Sequence, residues 1–517
     1  MHVTGRMRSQ RVVIIGAGVA GLVAALLLAA RGLQVVVLER AEAPGGKMRE
    51  INIGGARIDA GPTVFTLRTV FDEILAEVGV SLADYVTLRP VEALARHVWG
   101  PDQRLDLFSD IERSADAIGR FAGSTEADGY RAFCARARRI YETLEHPFIR
   151  SPRPNLLSLL QRTGMRGHGG LWRLSPFATL WDALGEHFTD PRLRQLFGRY
   201  ATYCGSSPFQ APATLMLVAH VEREGVWVVK GGMHRVATAL AQLAAQRGAT
   251  FHYNTAAAEI VVDRGHVTGV TLTNGERLEA DAVVANADVA AIATARLGGD
   301  AAAAVPPVPP AGRSLSALTW TLLAETEGFP LLRHTVFFSG DYAAEFDDIF
   351  ARARLPRAPT VYVCAQDREG GPSPSGPERL LCLVNAPPIG DRHSFAESEI
   401  WECEQRTFSL LDRCGLRTRR RPESTVITTP ADFERLFPAT GGALYGQASH
   451  AWTSSFRRLG SRSRLRGLYL AGGSVHPGPG VPMAAVSGRL AAASLLADLA
   501  STRRSRPTAM SGGISMR

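Results

Sequence analysis

Residues 11–40 read RVVIIGAGVAGLVAALLLAARGLQVVVLER. A β-branched run over 12–15 leads into Gly16, Gly18 and Gly21, spaced G-x-G-x-x-G. Residues 20–30 are a Leu/Ala helix with no breaker after Gly21, and Gly32 ends it. A second strand over 35–38 closes on Glu39. The pattern is a β-α-β unit with each glycine where backbone geometry needs one. Gly16 makes the tight turn, Gly18 lets the backbone approach a pyrophosphate, and Gly21 lets helix pack on strand. The helix N-terminus offers unpaired N–H groups and a positive dipole end to the phosphates. Glu39 lies 18 residues past Gly21, where a carboxylate holds both hydroxyls of an adenosine ribose. A 2′-phosphate there would meet like charge.

Working outward, Arg6, Arg8 and Arg11 precede an apolar span over 12–30, which mimics a signal peptide or membrane helix. The glycine register and the matching second strand argue against both. No other stretch reads as spanning, so any membrane contact is expected to be peripheral. The 517 residues, 45% of them hydrophobic, suffice for two or more lobes with ample core. The net charge is +9, and the only lysines are Lys47 and Lys230, so the other 56 basic residues are arginine. This reads either as a compositional bias toward Arg or as an Arg-rich face for anionic lipid. Nucleic acid is not expected, because no basic run is interleaved with aromatics. The densest basic cluster, 417–421, reads as a solvated turn. Six cysteines occur without a C-x-x-C pair or a His/Cys cluster. They read as reduced thiols of a cytoplasmic protein, with no metal site.

Past Glu39, Pro44-Gly45-Gly46-Lys47 admits two readings: a loop crossing a cofactor with Lys47 near its pyrophosphate, or a turn with a surface lysine. Asp59-Ala60-Gly61-Pro62-Thr63-Val64-Phe65 is another backbone-defining loop. Residues 80–215 read as mixed and mostly helical, with apolar spacing at Phe133, Ala137, Ile140 and Leu144. Pro152-Arg153-Pro154 reads as a hinge. The leucines of 156–160 with Arg162, Arg166, Trp172, Arg173 and Phe177 suit an interfacial segment or a core-packed helix pair. Residues 197–214, FGRYATYCGSSPFQAPAT, suit a cavity wall. Residues 226–284 form a second organised unit: strand, Gly-Gly loop, helix, strand, hairpin, strand. Residues 301–310, AAAAVPPVPP, read as a stiff linker. Residues 467–497 carry a strand into a Gly/Pro loop and then a small-residue helix.

Three separated stretches, GAGVAG with Glu39 and GGK, GVWVVKGGMH, and AGGSVHPGPGVP, together resemble the FAD-dependent carotenoid desaturases over nearly the whole chain. RYATYCGSSPFQAPAT and AGGSVHPGPGVPMA resemble most closely the 1-hydroxycarotenoid 3,4-desaturase branch. Phytoene desaturases proper more often have Gly-Ala-Gly-Thr before the HPG, where this chain has Ala471-Gly472-Gly473-Ser474-Val475. The resemblance implies an α/β fold of the two-dinucleotide-binding flavoprotein kind, with a Rossmann-type FAD lobe and an inserted α+β substrate lobe. The FAD lobe would comprise 1–80, 220–300 and 462–500, the substrate and membrane-facing lobe 81–219 and 301–461, and 501–517 a disordered tail. By the same resemblance, Gly16, Gly18, Gly21 and Glu39 would hold the ADP part of FAD, and Gly45, Gly46 and Lys47 its pyrophosphate. Asp59, Gly61 and Pro62 would lie beside the flavin, Gly472, Gly473, Pro482 and Met483 in its C-terminal loop, and Ala257 would meet adenine through its backbone.

The implied reaction is C3,4 dehydrogenation of an acyclic 1-hydroxy- or 1-methoxycarotenoid. Oxygen or a quinone would be the electron acceptor, at the inner face of the cell membrane. A carotenoid offers no carbonyl and no acidic proton, so the flavin accepts hydride and the protein supplies binding and an apolar tunnel. No nucleophile elbow or metal set is present, and no catalytic residue is assigned. His476 and His234 are candidate weak bases or loop braces. Tyr200, Tyr203, Ser206 and Ser207 are candidate partners for a substrate hydroxyl, or wall packing. Phytoene desaturation, carotenoid isomerisation, prenyl-protein escort, and amine or porphyrinogen oxidation remain alternatives on the same fold.

Overall fold

The computed structural model describes residues 10–151, 178–368, 374–451 and 454–504. The hinge at 152–154, the leucine cluster and the basic-aromatic run up to residue 177 lie outside the described residues, as do Arg6, Arg8 and the tail from 505. The opening unit forms as its sequence dictates. Strand β1 (Arg11–Ile15), helix α1 (Val19–Ala29) and strand β2 (Gln34–Leu38) follow one another, with β1 and β2 parallel. Every residue of α1 is buried. A helix apolar on all sides needs cover on all sides. The sheet covers one side, and helices His234–Gln246 and Val481–Arg504 cover the rest.

The parallel sheet gathers strands far apart in the chain. Its order is Thr250–His252, β2, β1, Ala282–Ala285 and Leu468–Leu470, all pairs parallel. The hairpin Ala257–Asp263 with His266–Leu272 packs over its opposite face. A second, eight-stranded sheet runs from Arg417–Arg419 through Ser316–Glu327 and Glu378–Ala386 to Gln103–Phe108. Its pairs are antiparallel except where His334–Phe337 meets Ala93–Gly100. Helix Glu397–Arg413 covers one face. Helices around Ser124–Leu144 form a separate core against the end of the sheet that carries Leu105, Leu107 and Val336. Phe133, Ala137, Ile140 and Leu144 are buried in it, as their spacing requires.

Three sequence expectations need correction. Residues 301–310 are not a free spacer: Ala301, Ala304 and Val305 are buried in the core behind the parallel sheet. The alanines are small enough to dock there. The basic cluster at 417–421 is not a turn. Arg417–Arg419 is an edge strand on Glu325–Glu327, and its charges meet Glu325 and Glu327 while Arg420 meets Glu404. Cross-strand charge pairing makes that edge regular. The C-terminal helix runs to Arg504, so 501–504 are helical and not tail. The mixed 80–215 stretch supplies strands Leu88–Pro90, Ala93–Gly100 and Gln103–Phe108 beside its helices.

α1 and the C-terminal helix approach so closely that a Cβ on Gly488 would sit 2.2 Å from the Ala20 carbonyl oxygen. Gly488→Val should force the helices apart and destabilise the chain by about 1–3 kcal/mol. Gly299→Ala, which meets nothing within 4 Å, is the control. Thermal denaturation of both variants decides it, and equal midpoints would refute the close contact.

Candidate functional site

The carboxyl ends of β1 and Ala282–Ala285 are neighbours whose connections leave in opposite directions, the switch point where open α/β sheets bind ligands. Gly16 turns there with φ +98°, and its N–H donates to Leu38 O at 2.7 Å. A Cβ on Gly21 would lie 2.1 Å from Gly16 O, so only glycine lets α1 start this close. No side chain caps α1 and no acid stands in its first turn. Its end is open to an anion. The Gly45-Gly46 loop lies directly above. Gly45 N–H donates to Ala17 O at 2.9 Å, and a Cβ on Gly46 would be 3.2 Å from Gly18 Cα. Glu39 is buried and its carboxylate accepts from Ala17 N (2.7 Å) and Ala41 N (2.9 Å). Thr255 N–H donates to Glu39 O at 2.8 Å, which sets the 255–257 backbone beside the carboxylate. Ala257 itself is partly exposed and pairs with Leu272 at the hairpin entry.

The remaining sequence candidates divide. Asp59 is buried and accepts from Met233 N (2.7 Å) and His234 N (3.3 Å). It caps helix His234–Gln246 and fixes the loop carrying Gly61 and Pro62. A Cβ on Gly61 would collide with Lys47 O. Lys47 leads away from the glycine turn. Its Nζ donates to Leu444 O at 2.6 Å and lies 5.2 Å from the Phe437 ring centre. Burial lowers its pKa, and the Asp288 charge opposes this. Gly472 N–H donates to Ser487 Oγ at 3.1 Å, and Arg458 Nη1 donates to Gly473 O at 3.3 Å. Pro482 is buried, and Met483 touches both the α1 core and the helical core. His234 Nε2 donates to Pro44 O at 2.7 Å, and His476 Nε2 to Phe148 O at 2.9 Å. Burial pushes His476 down to about 4. Both histidines brace loops.

Sequence reading missed Asn286. Its Oδ1 accepts from Gly21 N at 2.7 Å and its Nδ2 donates to Ala471 O at 3.3 Å. One carboxamide thus joins the first glycine turn to the C-terminal loop. Its position directly after the strand Ala282–Ala285 is the signal that could have found it.

The second missed group is a set of half-buried cationic and aromatic side chains, Lys47, Arg199, Tyr203, Tyr362 and Tyr445. Arg199 Nη1 donates to Tyr203 Oη at 3.2 Å, and its guanidinium stands 5.3 Å and 5.4 Å from the Tyr203 and Tyr362 ring centres. Tyr362 Oη is 2.7 Å from both Thr63 Oγ1 and His334 Nδ1. Tyr200 and Tyr203 both donate to Glu222, at 2.6 and 3.1 Å. Ser206 Oγ accepts from Ser449 N and bonds Cys204 O, while Ser207 accepts from Phe209 N through its Oγ. The four hydroxyls offered from sequence for a substrate oxygen are therefore engaged within the protein. A run of Tyr and Ser advertises polar atoms but not their partners, which come from distant elements.

A family model described as flavin containing amine oxidoreductase matches residues 19–321. The hydroxyneurosporene desaturase of Rubrivivax gelatinosus is 57% identical over 513 residues, covering 99% of this chain and 98% of that protein. The 1-hydroxycarotenoid 3,4-desaturase of Flavobacterium sp. is 30% identical over 490 residues, covering 93% and 98%. A crystal structure of an oxidoreductase from Methanosarcina mazei superposes with a TM-score of 0.58 at 16% identity, over 94% of this chain and 100% of that one. The last is a likeness of fold.

Glu345 is buried, accepting from Thr360 N (3.0 Å) and Asn385 Nδ2 (3.2 Å). Burial pushes it up to about 7, with those hydrogen bonds opposing. A raised folded pKa means the folded chain holds this proton more tightly than the unfolded one. That contribution is full below the ordinary glutamate value and is lost as pH rises through about 7. The melting temperature of Glu345→Gln should therefore fall less than that of the unsubstituted chain between about pH 5 and pH 8. Parallel curves would refute the assignment.

Proposed function

The chain belongs to the flavin-containing amine oxidoreductase family, in its hydroxyneurosporene desaturase branch, and from that membership we propose how its residues serve carotenoid desaturation. It is an FAD-dependent oxidoreductase. The residues fit the cofactor: α1 has an uncapped N-terminus, and the Gly18–Gly46 approach leaves no room for a side chain. Gly16, Gly18, Gly21, Glu39 and the 255–257 backbone would hold the ADP part, with Gly45 and Gly46 along the pyrophosphate. Gly61, Pro62, Gly472, Gly473, Pro482 and Met483 would border the flavin. Asn286 joins that set, whereas Lys47 and Asp59 position loops. When bound, FAD supplies the acceptor for a hydride.

The substrate we assign is an acyclic 1-hydroxy- or 1-methoxycarotenoid, dehydrogenated at C3,4. The observation that carries this is the near full-length identity to the Rubrivivax desaturase. The chain's own residues would bind the polyene in an internal space beside Arg199, Tyr203 and Tyr362, orient it against the flavin loops and exclude water. Neither His234 nor His476 is assigned a proton-transfer role, because each has its Nε2 committed to a backbone carbonyl. An amine substrate fits poorly, since Lys47 and Arg199 would put cations beside an ammonium. The discontinuous FAD lobe and the substrate lobe remain our division of the chain, with the eight-stranded sheet in the latter.

The test is competition between 1-hydroxyneurosporene, neurosporene and phytoene at equal loading. Preferred conversion of the hydroxylated substrate, with product absorption moved to the red, is expected. Equal turnover of phytoene would make the protein a general phytoene desaturase.

We further assign the protein to the inner membrane surface as a peripheral enzyme, because its substrate lives in lipid, and we assign oxygen or a quinone as electron acceptor. Among the described residues one helix, Val481–Ser501, is long and apolar enough to cross a membrane, but its residues pack on α1 in the parallel-sheet core. Flotation with anionic liposomes should recover the protein, and added salt should reduce recovery. No recovery on either neutral or anionic lipid would refute the membrane assignment.

A further inference from the structure

Arg199 has no direct ion pair. Among the described residues no acid lies within ion-pair distance of it, and its guanidinium makes one hydrogen bond, to Tyr203, which passes on to Glu222. Its charge reaches the buried carboxyls of Glu222 and Glu345, opposing the rise that burial gives each. A guanidinium carries five N–H donors and no acceptor. Holding it deep in a protein is costly unless those donors find oxygen. Tyr203 and Tyr362 supply their ring faces, which soften the charge without using the donors. Its other N–H groups have no hydrogen-bond partner among the described residues.

The position is as informative as the chemistry. Tyr362 Oη is 2.7 Å from Thr63 Oγ1, next in sequence to Pro62 on the loop assigned to the flavin. Arg199 thus stands one ring away from that loop. An oxygen on C1 of the substrate is three bonds from C3. Whatever holds that oxygen must therefore stand close to where the C3–C4 bond meets the hydride acceptor. The four hydroxyls offered from sequence are taken: Tyr200 and Tyr203 donate to Glu222, and Ser206 and Ser207 brace loops.

We propose that Arg199 is the specificity-determining residue that anchors the C1 oxygen of the carotenoid, donating N–H hydrogen bonds to it from the cage of Tyr203 and Tyr362. This rests on the assignment of an oxygenated carotenoid as substrate. A donor-only anchor accepts a hydroxyl and a methyl ether alike, because it uses only the oxygen lone pairs. It rejects a hydrocarbon end, which leaves the guanidinium buried and unpaired. An acceptor such as Glu222 would do the opposite, admitting the hydroxyl and refusing the ether.

The experiment compares kcat/KM for 1-hydroxyneurosporene, 1-methoxyneurosporene and neurosporene in the flavin-loaded chain, Arg199→Met and Arg199→Lys. The unsubstituted enzyme should favour both oxygenated substrates. Arg199→Met should reduce that preference by roughly tenfold or more, for hydroxyl and ether equally. Arg199→Lys, which keeps a charged donor but loses the fork, should restore part of it. If Arg199→Met lowers all three substrates by the same factor, or leaves the preference intact, Arg199 is a structural residue and the proposal fails. If only the hydroxylated substrate suffers, the anchor is an acceptor and the proposal fails. If Arg199→Met does not retain flavin absorbance, Arg199→Lys decides alone, and an unchanged preference overturns the proposal. Absence of preference in the unsubstituted enzyme refutes the substrate assignment itself, a result separate from any of these.

Discussion

One carboxamide holds the cofactor side of this molecule together. Asn286 accepts from Gly21 at the start of α1 and donates to Ala471 at the end of the last strand. Gly21 and Ala471 are separated by most of the chain, and neither has a side chain that could make the link. The arrangement works only because the backbone is bare on both sides. A Cβ on Gly18 would lie 3.0 Å from Asn286 Oδ1, and one on Gly472 would lie 3.0 Å from its Nδ2. Close approach first, hydrogen bond second, is the order of dependence. The glycines let the strands' carboxyl ends converge, and the amide then satisfies the N–H and C=O groups that convergence leaves over.

The same dependence explains what could be read in advance. The β-α-β unit is local: strand, turn and helix lie within thirty residues, and each glycine answers a backbone demand that one sequence displays. Glu39, Gly45, Gly46 and Gly61 were legible for the same reason, and the Asp59 loop was legible as a loop. What Asp59 does was not, since its partners Met233 and His234 lie on another segment. The sequence leaves Lys47 open between a pyrophosphate contact and a surface turn, because its partner Leu444 is nearly four hundred residues away. The linker reading of 301–310 failed because a Pro/Ala stretch is stiff whether free or docked. Burial of Ala301 and Val305 is decided by the sheet behind them. Arg199 gave no sign at all in a chain with 56 arginines. A residue becomes singular by lacking a partner, and that is a property of the fold.

The internal space sets two kinds of demand against each other. A polyene is held by apolar surface, which is non-directional and cannot fix which carbons meet the flavin. The polyene could slide along such a wall with little change in contact area. A directional contact near one end removes that freedom, and the nearer it stands to the reacting bond the less play remains. The wall built by residues 196–216 is apolar over Leu196, Phe197, Ala201 and Met216, with the polar atoms of Tyr200 and Tyr203 already turned onto Glu222. Two phenol donors on one carboxylate make Glu222 a closed unit, and the neighbouring guanidinium is left as the open one. Arg199 keeps its open donors beside Tyr362, one hydroxyl from Thr63. Placing it there converts the desolvation cost of one cation into positional control of a substrate that offers almost nothing else to grip.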